Sequence, residues 1–214
     1  MALRCLVFDC DGVLLDSVPA KTQAFARLAT PYGPEAEKRF VQFHQSHGGV
    51  SRYEKFAWFY REILGREITQ AESQAFAEKF KTYCREELSR CREIRGAREV
   101  LERWHGQLPL YVCSGAPEAE QREVLSEHDL ARYFDGIFGS PPEKALLLQN
   151  IVTRAGIAPK QTLMVGDATT DLDAARHAGT LFYGVGELLQ GGDYPWSMDL
   201  TELSAYITQE QGQA

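Results

Sequence analysis

The stretch Leu3-Arg4-Cys5-Leu6-Val7-Phe8-Asp9-Cys10-Asp11-Gly12-Val13 constrains the fold more than any other part of the chain. Its first half is apolar, carries Val and Phe and lacks Pro, the composition of a short strand buried on both faces in a parallel sheet. Two carboxylates then follow at i and i+2, and Gly12 permits a sharp turn. A carboxylate at the end of a buried strand is costly to hold ionised without a partner, and a hard cation such as Mg²⁺ is one remedy. A turn in which both acids cap backbone amides accounts for the same residues without any chemistry. The rest of the chain separates the two.

From residue 16 to about residue 91 the apolar residues recur at helical spacing. Phe25, Leu28 and Ala29 share one face. Tyr53, Phe56, Ala57, Tyr60, Ile63 and Leu64 recur at three- and four-residue steps, and Phe76, Phe80, Cys84 and Leu88 step by fours. No strand-like alternation interrupts them, which predicts a small all-helical unit. Its helices are separated at Thr30-Pro31-Tyr32-Gly33-Pro34 and at His47-Gly48-Gly49. Beyond it, Ala97, Val100, Leu101 and Trp104 mark a helix and residues 108–113 a strand. A helix over 117–127, a short strand over 136–139 and a strongly apolar helix over 143–155 follow. A strand over 162–165, a helix over 169–178 and a last strand over 181–183 complete the pattern. This alternation predicts an α/β fold, an open parallel Rossmann-like sheet with helices on both faces. The expected division is a core of residues 1–16 and 92–214 with an all-helical insertion over 17–91. The polar tail after about Ser204, Gln209 onward above all, is expected to fray.

Composition bears on partners. The formal net charge is −7 with no long basic run, which argues against nucleic acid as the main partner. No apolar run of roughly 18 residues occurs, so no membrane span is expected. Asp9 and Asp11 interrupt the apolar N-terminus and make it a poor signal-peptide core. Cys5, Cys10, Cys84, Cys91 and Cys113 are odd in number and form no Cys-x-x-Cys pair, as expected of free thiols in a reducing cytoplasm. Cys10 reads as a packing residue. The histidines His44, His47, His105, His128 and His177 form no ligand pattern.

In a sheet of this kind ligands bind at the carboxyl ends of the strands. Asp9 and Asp11 follow the first strand, Ser114 and Gly115 the second, and Gly166-Asp167 the fourth, with Asp171 four residues on. Lys144 opens the helix after Gly139-Ser140-Pro141-Pro142. Each has an ordinary structural use: Ser114 as an N-cap, Lys144 as a solvated helix residue, Asp171 as a first-turn acid on a helix dipole. Their convergence on one sheet edge favours a site.

At this point the sequence resembles the haloacid dehalogenase superfamily, in particular the phosphoglycolate phosphatase and β-phosphoglucomutase-like members with a helical cap after the first strand. The resemblance covers nearly the whole chain. Phe8-Asp9-Cys10-Asp11-Gly12-Val13 with Asp16-Ser17 looks like the first motif, Cys113-Ser114-Gly115 the second, and Gly166-Asp167-Ala168-Thr169-Thr170-Asp171 the fourth. Lys144 is the candidate for the third, although many relatives place a Lys-Pro pair earlier. The resemblance implies that Asp9 attacks phosphorus to form an aspartyl-phosphate and that Asp11 serves as general acid and base. It implies Mg²⁺ held by the Asp9 carboxylate, the Asp11 carbonyl and the Asp167 carboxylate, with Asp171 orienting a metal-bound water or Lys144. Ser114, Gly115 and Lys144 are then expected to grip the phosphoryl oxygens. Relatives that cleave carbon–halogen bonds lack the second acid, so Asp11 argues against dehalogenation.

Within the cap, His47-Gly48-Gly49-Val50-Ser51-Arg52-Tyr53-Glu54-Lys55 is a glycine-hinged turn opening a helix. Arg52 and Lys55 are expected to hold an anionic group on the substrate; a plain helix start, with Ser51 as N-cap and both cations solvated, is the alternative. The loop resembles that of the sugar-phosphate mutases, which raises a phosphoglucomutase-like transferase as a second function. Those mutases carry His where this chain has Lys21, and Glu-Asp where it has Gly166-Asp167. The favoured expectation is a phosphatase of a small phosphorylated metabolite, a sugar phosphate or a phosphoglycolate-like acid. Lys21 is expected to touch the substrate, gate the hinge, or stand solvated. A non-catalytic binding protein on the same fold is the third reading.

Overall fold

A computed structural model of the chain describes residues 2–88 and 90–212. Strand β1 (Cys5–Phe8) is buried at every position, as an apolar run without alternation requires. Four helices follow: α1 (Val18–Ala29), α2 (Pro34–Ser46), α3 (Arg52–Glu62) and α4 (Gln70–Leu88). The chain then alternates through α5 (Ala97–Trp104), β2 (Leu110–Pro117), α6 (Glu118–Glu127), β3 (Gly136–Ser140) and α7 (Lys144–Ala155). It ends with β4 (Thr162–Gly166), α8 (Thr169–Ala178), β5 (Leu181–Val185), β6 (Trp196–Ser197) and α9 (Leu203–Gly212).

The strands form one parallel sheet in the order β3-β2-β1-β4-β5-β6. The winding reverses between β1 and β4, so the crevice at their carboxyl ends is the topological switch point where this architecture binds ligands. Alternate residues of the central strands feed opposite sides. Leu6, Phe8, Val112, Leu163 and Val165 join Leu101, Leu125 and Ile207 on one face. Cys5, Val7, Cys113 and Met164 join Leu147, Leu148, Ile151 and Ala175 on the other. The α/β architecture expected from the sequence is the one observed.

Helices α1–α4 bury a third cluster, rich in aromatic residues: Phe25, Phe40, Phe56, Phe59, Phe76 and Phe80 pack together. Phe25 and Phe80 stand 4.6 Å apart between centroids, and Phe40 and Phe59 likewise 4.6 Å. Two details differ from the expected faces. Tyr53 is exposed, while Phe40 and Phe59 supply buried rings that the spacing argument passed over.

The carboxyl-terminal segment also departs from expectation. Residues 203–212 form α9 rather than a frayed tail; Gln213 and Ala214 lie outside the described residues. Leu203 and Ile207, one turn apart, are fully buried, and Trp104 Nε1 donates to Ser204 Oγ at 3.2 Å. Two buried apolar anchors, with the half-buried Tyr206 beside them, dock a helix that is otherwise largely polar. The two-residue strand β6 was likewise not anticipated, being too short to show a periodicity.

Candidate active site

The end of β1 fixes the first two acids. Asp9 N–H donates to the Val165 carbonyl at 2.9 Å, continuing the ladder to β4 for one residue and setting Asp9 beside the end of that strand. The chain then turns tightly: Leu14 and Leu15 N–H both bond the Cys10 carbonyl, at 2.9 and 3.0 Å. Gly12 turns with φ +85°, and a Cβ there would fall inside the Asp167 carboxylate. Glycine is required at this position by conformation and by space. Asp167 follows β4, and Asp171 lies in the first turn of α8 with its side chain fully buried. Asp9, Asp167 and Asp171 each bring a carboxylate oxygen within 4.8 Å of the others.

Lys144 opens α7 and is buried among these acids rather than solvated. Its Nζ donates to Asp171 Oδ1 at 2.7 Å and stands 3.0 Å from Asp9 Oδ1 without the geometry of a hydrogen bond. The other oxygen of Asp171 accepts from Ala168 N–H at 3.1 Å. Both Asp171 oxygens are therefore engaged, one on the helix amide and one orienting Lys144. Burial would lower the Lys144 pKa, but Asp171 and Asp9 outweigh it and hold the ammonium charged. Asp9 and Asp167 have less support. Burial drives both carboxyl pKa values upward and the neighbouring acids add to it, while the Lys144 charge opposes the shift without reversing it. One lysine does not balance three crowded carboxylates. The surplus negative charge, and the Asp9 oxygen that lacks a hydrogen bond, fit a hard divalent cation held by oxygen ligands.

Asp11 is held differently. Ser17 Oγ donates to its Oδ1 at 2.5 Å, Lys21 Nζ to its Oδ2 at 2.5 Å, and Gln121 Nε2 lies 3.4 Å from Oδ2. Burial would raise this carboxyl, but the Lys21 charge and the two short hydrogen bonds prevail and hold it below the usual carboxylate range. Lys21 is thus half-buried and paired with Asp11, and is not a solvated hinge residue.

A cavity of about 700 Å³ opens between the sheet edge and helices α1–α4, lined by Asp9, Asp11, Asp167 and Gly115 below and by Lys21, His44, Arg52 and Lys55 among the residues above. The loop around residues 47–50 seats directly on the sheet edge. Thr170 Oγ1 donates to the Gly48 carbonyl at 2.8 Å. A Cβ on Gly115 would fall on the Gly49 carbonyl. Ser114 is fully buried just beneath, its Oγ accepting from Ala116 N–H at 3.2 Å.

The structure brings Asp9, Asp11, Ser114, Gly115, Lys144, Asp167 and Asp171 to one sheet edge and sets Lys21 against it. Two residues behave otherwise than the helix-start alternative requires. Ser51 does cap α3, accepting from Tyr53 N–H at 3.4 Å, but Arg52 and Lys55 are buried rather than solvated. Arg52 is turned to Glu120 of α6, with contacts of 3.1 and 2.5 Å, and stacks its guanidinium 4.6 Å over the Phe80 ring. That pairing occupies its fork and ties α3 to α6. Lys55 donates to His44 Nδ1 at 2.9 Å. His44, Ser17, Glu120, Gln121 and Thr170 were not among the site residues expected from the sequence. Ser17 and Thr170 lie within the first and fourth motifs and carried a signal there; the others are single polar residues on helices.

The chain is 29% identical over 205 residues to a phosphorylated carbohydrates phosphatase of Thermotoga maritima, covering 89% of this chain and 88% of that one. It is 25% identical over 232 residues to phosphoglycolate phosphatase of Escherichia coli, covering 94% and 86%. A β-phosphoglucomutase from Clostridium difficile shares the fold with a TM-score of 0.82, at 19% identity, over 99% of this chain and 98% of that one. Among the described residues no helix is long and apolar enough to cross a membrane. The sequence model of the haloacid dehalogenase-like hydrolases matches residues 3–179, from the strand that delivers Asp9 to the helix that carries Asp171, and the chain belongs to that family.

Proposed function

We propose that this hydrolase is a Mg²⁺-dependent phosphatase of small phosphorylated metabolites, acting through a phosphoryl group carried on Asp9. The observation that carries the reading is the buried Asp9 carboxylate at the cavity floor, with one oxygen free of hydrogen bonds and a buried lysine 3.0 Å away. Asp9 attacks phosphorus, the ester oxygen leaves, and water then displaces the phosphoryl group as inorganic phosphate. Asp11 gives the leaving oxygen its proton and later takes one from the water. In the structure Lys21 favours the ionised form of Asp11. An arriving phosphate monoester competes for Lys21, weakens that pair and lets Asp11 hold the proton it must deliver.

Lys144, the Ser114 hydroxyl and the Gly115 backbone receive the phosphoryl oxygens, where positive charge and fixed donors stabilise the transition state most. Asp9, Asp167 and the Asp11 carbonyl would hold Mg²⁺, while Asp171 positions Lys144. The metal supplies charge neutralisation between the phosphate dianion and the Asp9 carboxylate. Residues 17–91 form the cap. Its helices close the cavity, exclude water and confer specificity. Relatives named for phosphorylated carbohydrates and for phosphoglycolate support a substrate of that size.

The test is release of inorganic phosphate from a panel of sugar phosphates and phosphorylated acids, with and without Mg²⁺. Release that needs the metal and vanishes in Asp9→Asn is the expected result. Interconversion of sugar phosphate isomers without net release would replace the phosphatase by a mutase.

A further inference from the structure

The roof of the cavity holds a buried cation that the reaction centre does not use. Lys55 is 3% exposed and lines the cavity. Its ammonium donates to His44 Nδ1 at 2.9 Å and lies 3.4 Å from the His44 carbonyl oxygen. Accepting at Nδ1 leaves the imidazole proton on Nε2, which donates to Thr22 Oγ1 at 3.2 Å. The Thr22 hydroxyl in turn donates to the Val18 carbonyl at 2.8 Å. The donors run in one direction from the ammonium to the backbone of α1, so His44 acts as a neutral acceptor. Burial, and then the Lys55 and Lys21 charges, push its pKa down to about 3 and keep it so.

Each other cation over or in the site has an anion. Lys21 has Asp11, Arg52 has Glu120, and Lys144 has Asp9 and Asp171. Lys55 has no carboxylate within ion-pair distance among the described residues. The Phe25 ring, its centroid 5.4 Å from Nζ, is a weak substitute. An ammonium has three donors, and His44 uses two of them at most. The third is left on a desolvated charge lining the cavity, where an anion would be held more strongly than in water.

We propose that Lys55, oriented by neutral His44, is the receptor for a carboxylate carried by the substrate away from its phosphate. The preferred substrates are then phosphomonoesters of carboxylic acids. A single ammonium matches a singly charged carboxylate, whereas a second phosphoryl dianion would require a further free cation. This inference rests on the reading that the phosphoryl group sits at Asp9.

The test uses the full-length Asp9→Asn protein and isothermal titration calorimetry. The probes are carboxyalkyl phosphates of increasing chain length, starting at phosphoglycolate, and hydroxyalkyl phosphates of matching length. At one length the carboxylate is expected to bind about tenfold tighter or better, equivalent to a charge-assisted hydrogen bond. Adding Lys55→Met, or Lys55→Gln if the former does not fold, removes the difference, and Lys55→Arg restores part of it. A lysine with a merely structural role would lower Tm when replaced and leave the ratio between the two series unchanged. Equal binding or no binding of both series, or a preference that survives Lys55→Met, overturns the inference. Hydrolysis of the hydroxyalkyl series by the unmodified enzyme is the separate check on the phosphatase reading, so the two failures are distinguishable.

Discussion

Asp11 and Lys55 line the same cavity, and their surroundings treat their charges in opposite ways. Asp11 has three polar partners and stays ionised; Lys55 has a neutral one. Burial and then Lys21 lower the Lys55 pKa to about 7, with Lys144 acting in the same direction and Asp11 and Glu54 opposing. His44 faces it from α2 and carries no charge at these pH values. The sign follows directly. Lys55 is charged below about pH 7 and neutral above it, so affinity for carboxylate-bearing probes falls as pH rises through 7. Stability moves the other way. The unfolded lysine keeps its proton to roughly pH 10, so the cost of burying the charge is complete below 7 and is relieved between 7 and 10. Lys55→Met should therefore raise Tm at about pH 6, by roughly 2–4 °C for each ~1 kcal/mol recovered. The gain should shrink at about pH 9. Melting curves at the two pH values check this, and a loss of Tm at both would contradict it.

At the scale of elements, the loop over residues 47–50 matters most, because it seats the helical insertion on the sheet edge. Gly115 lies under the Gly49 carbonyl, with no room for a Cβ. Gly115→Ala is expected to hold the loop off and lower kcat/KM by at least about tenfold, since small misplacements near a reacting centre are costly. Its effect on Tm should be slight, as the clash is relieved by moving the loop and not by opening the core. Steady-state kinetics with a melting curve separate the two. The same region shows what the sequence could convey. Asp9 and Asp167 were legible because each directly follows a strand whose apolar run is unmistakable, and Asp11 and Asp171 because they lie two and four residues further on. Arg52 and Lys55 were legible as cations but not as partners: Glu120 lies 68 residues from Arg52, and no local pattern pairs them. His44 was passed over because a lone histidine on an amphipathic helix resembles any half-polar position. Helix α9 was hidden by its polarity, which Leu203 and Ile207 override through burial.

The whole molecule places an aromatic-cored helical bundle over a parallel sheet, and the clustered acids and Lys144 lie at the crevice between them. Closure is held by the Arg52–Glu120 and Lys21–Asp11 pairs and by the Thr170–Gly48 hydrogen bond. Burial extends to the thiols. All five cysteines are free; Cys5, Cys10, Cys84 and Cys113 are buried and Cys91 is partly so. Burial pushes every one of these thiols up, Cys91 to about 11. A thiol reagent near neutral pH should label at most one cysteine in the folded protein, slowly, and all five after denaturation; rapid labelling of two or more would contradict the packing. The role of Asp9 is tested by quenching a reaction with a turned-over phosphomonoester in acid and mapping the phosphoryl group by mass spectrometry. One phosphoryl group is expected on the peptide containing Asp9, absent from Asp9→Asn. Turnover without any such species, or with the phosphoryl group on another residue, would contradict it.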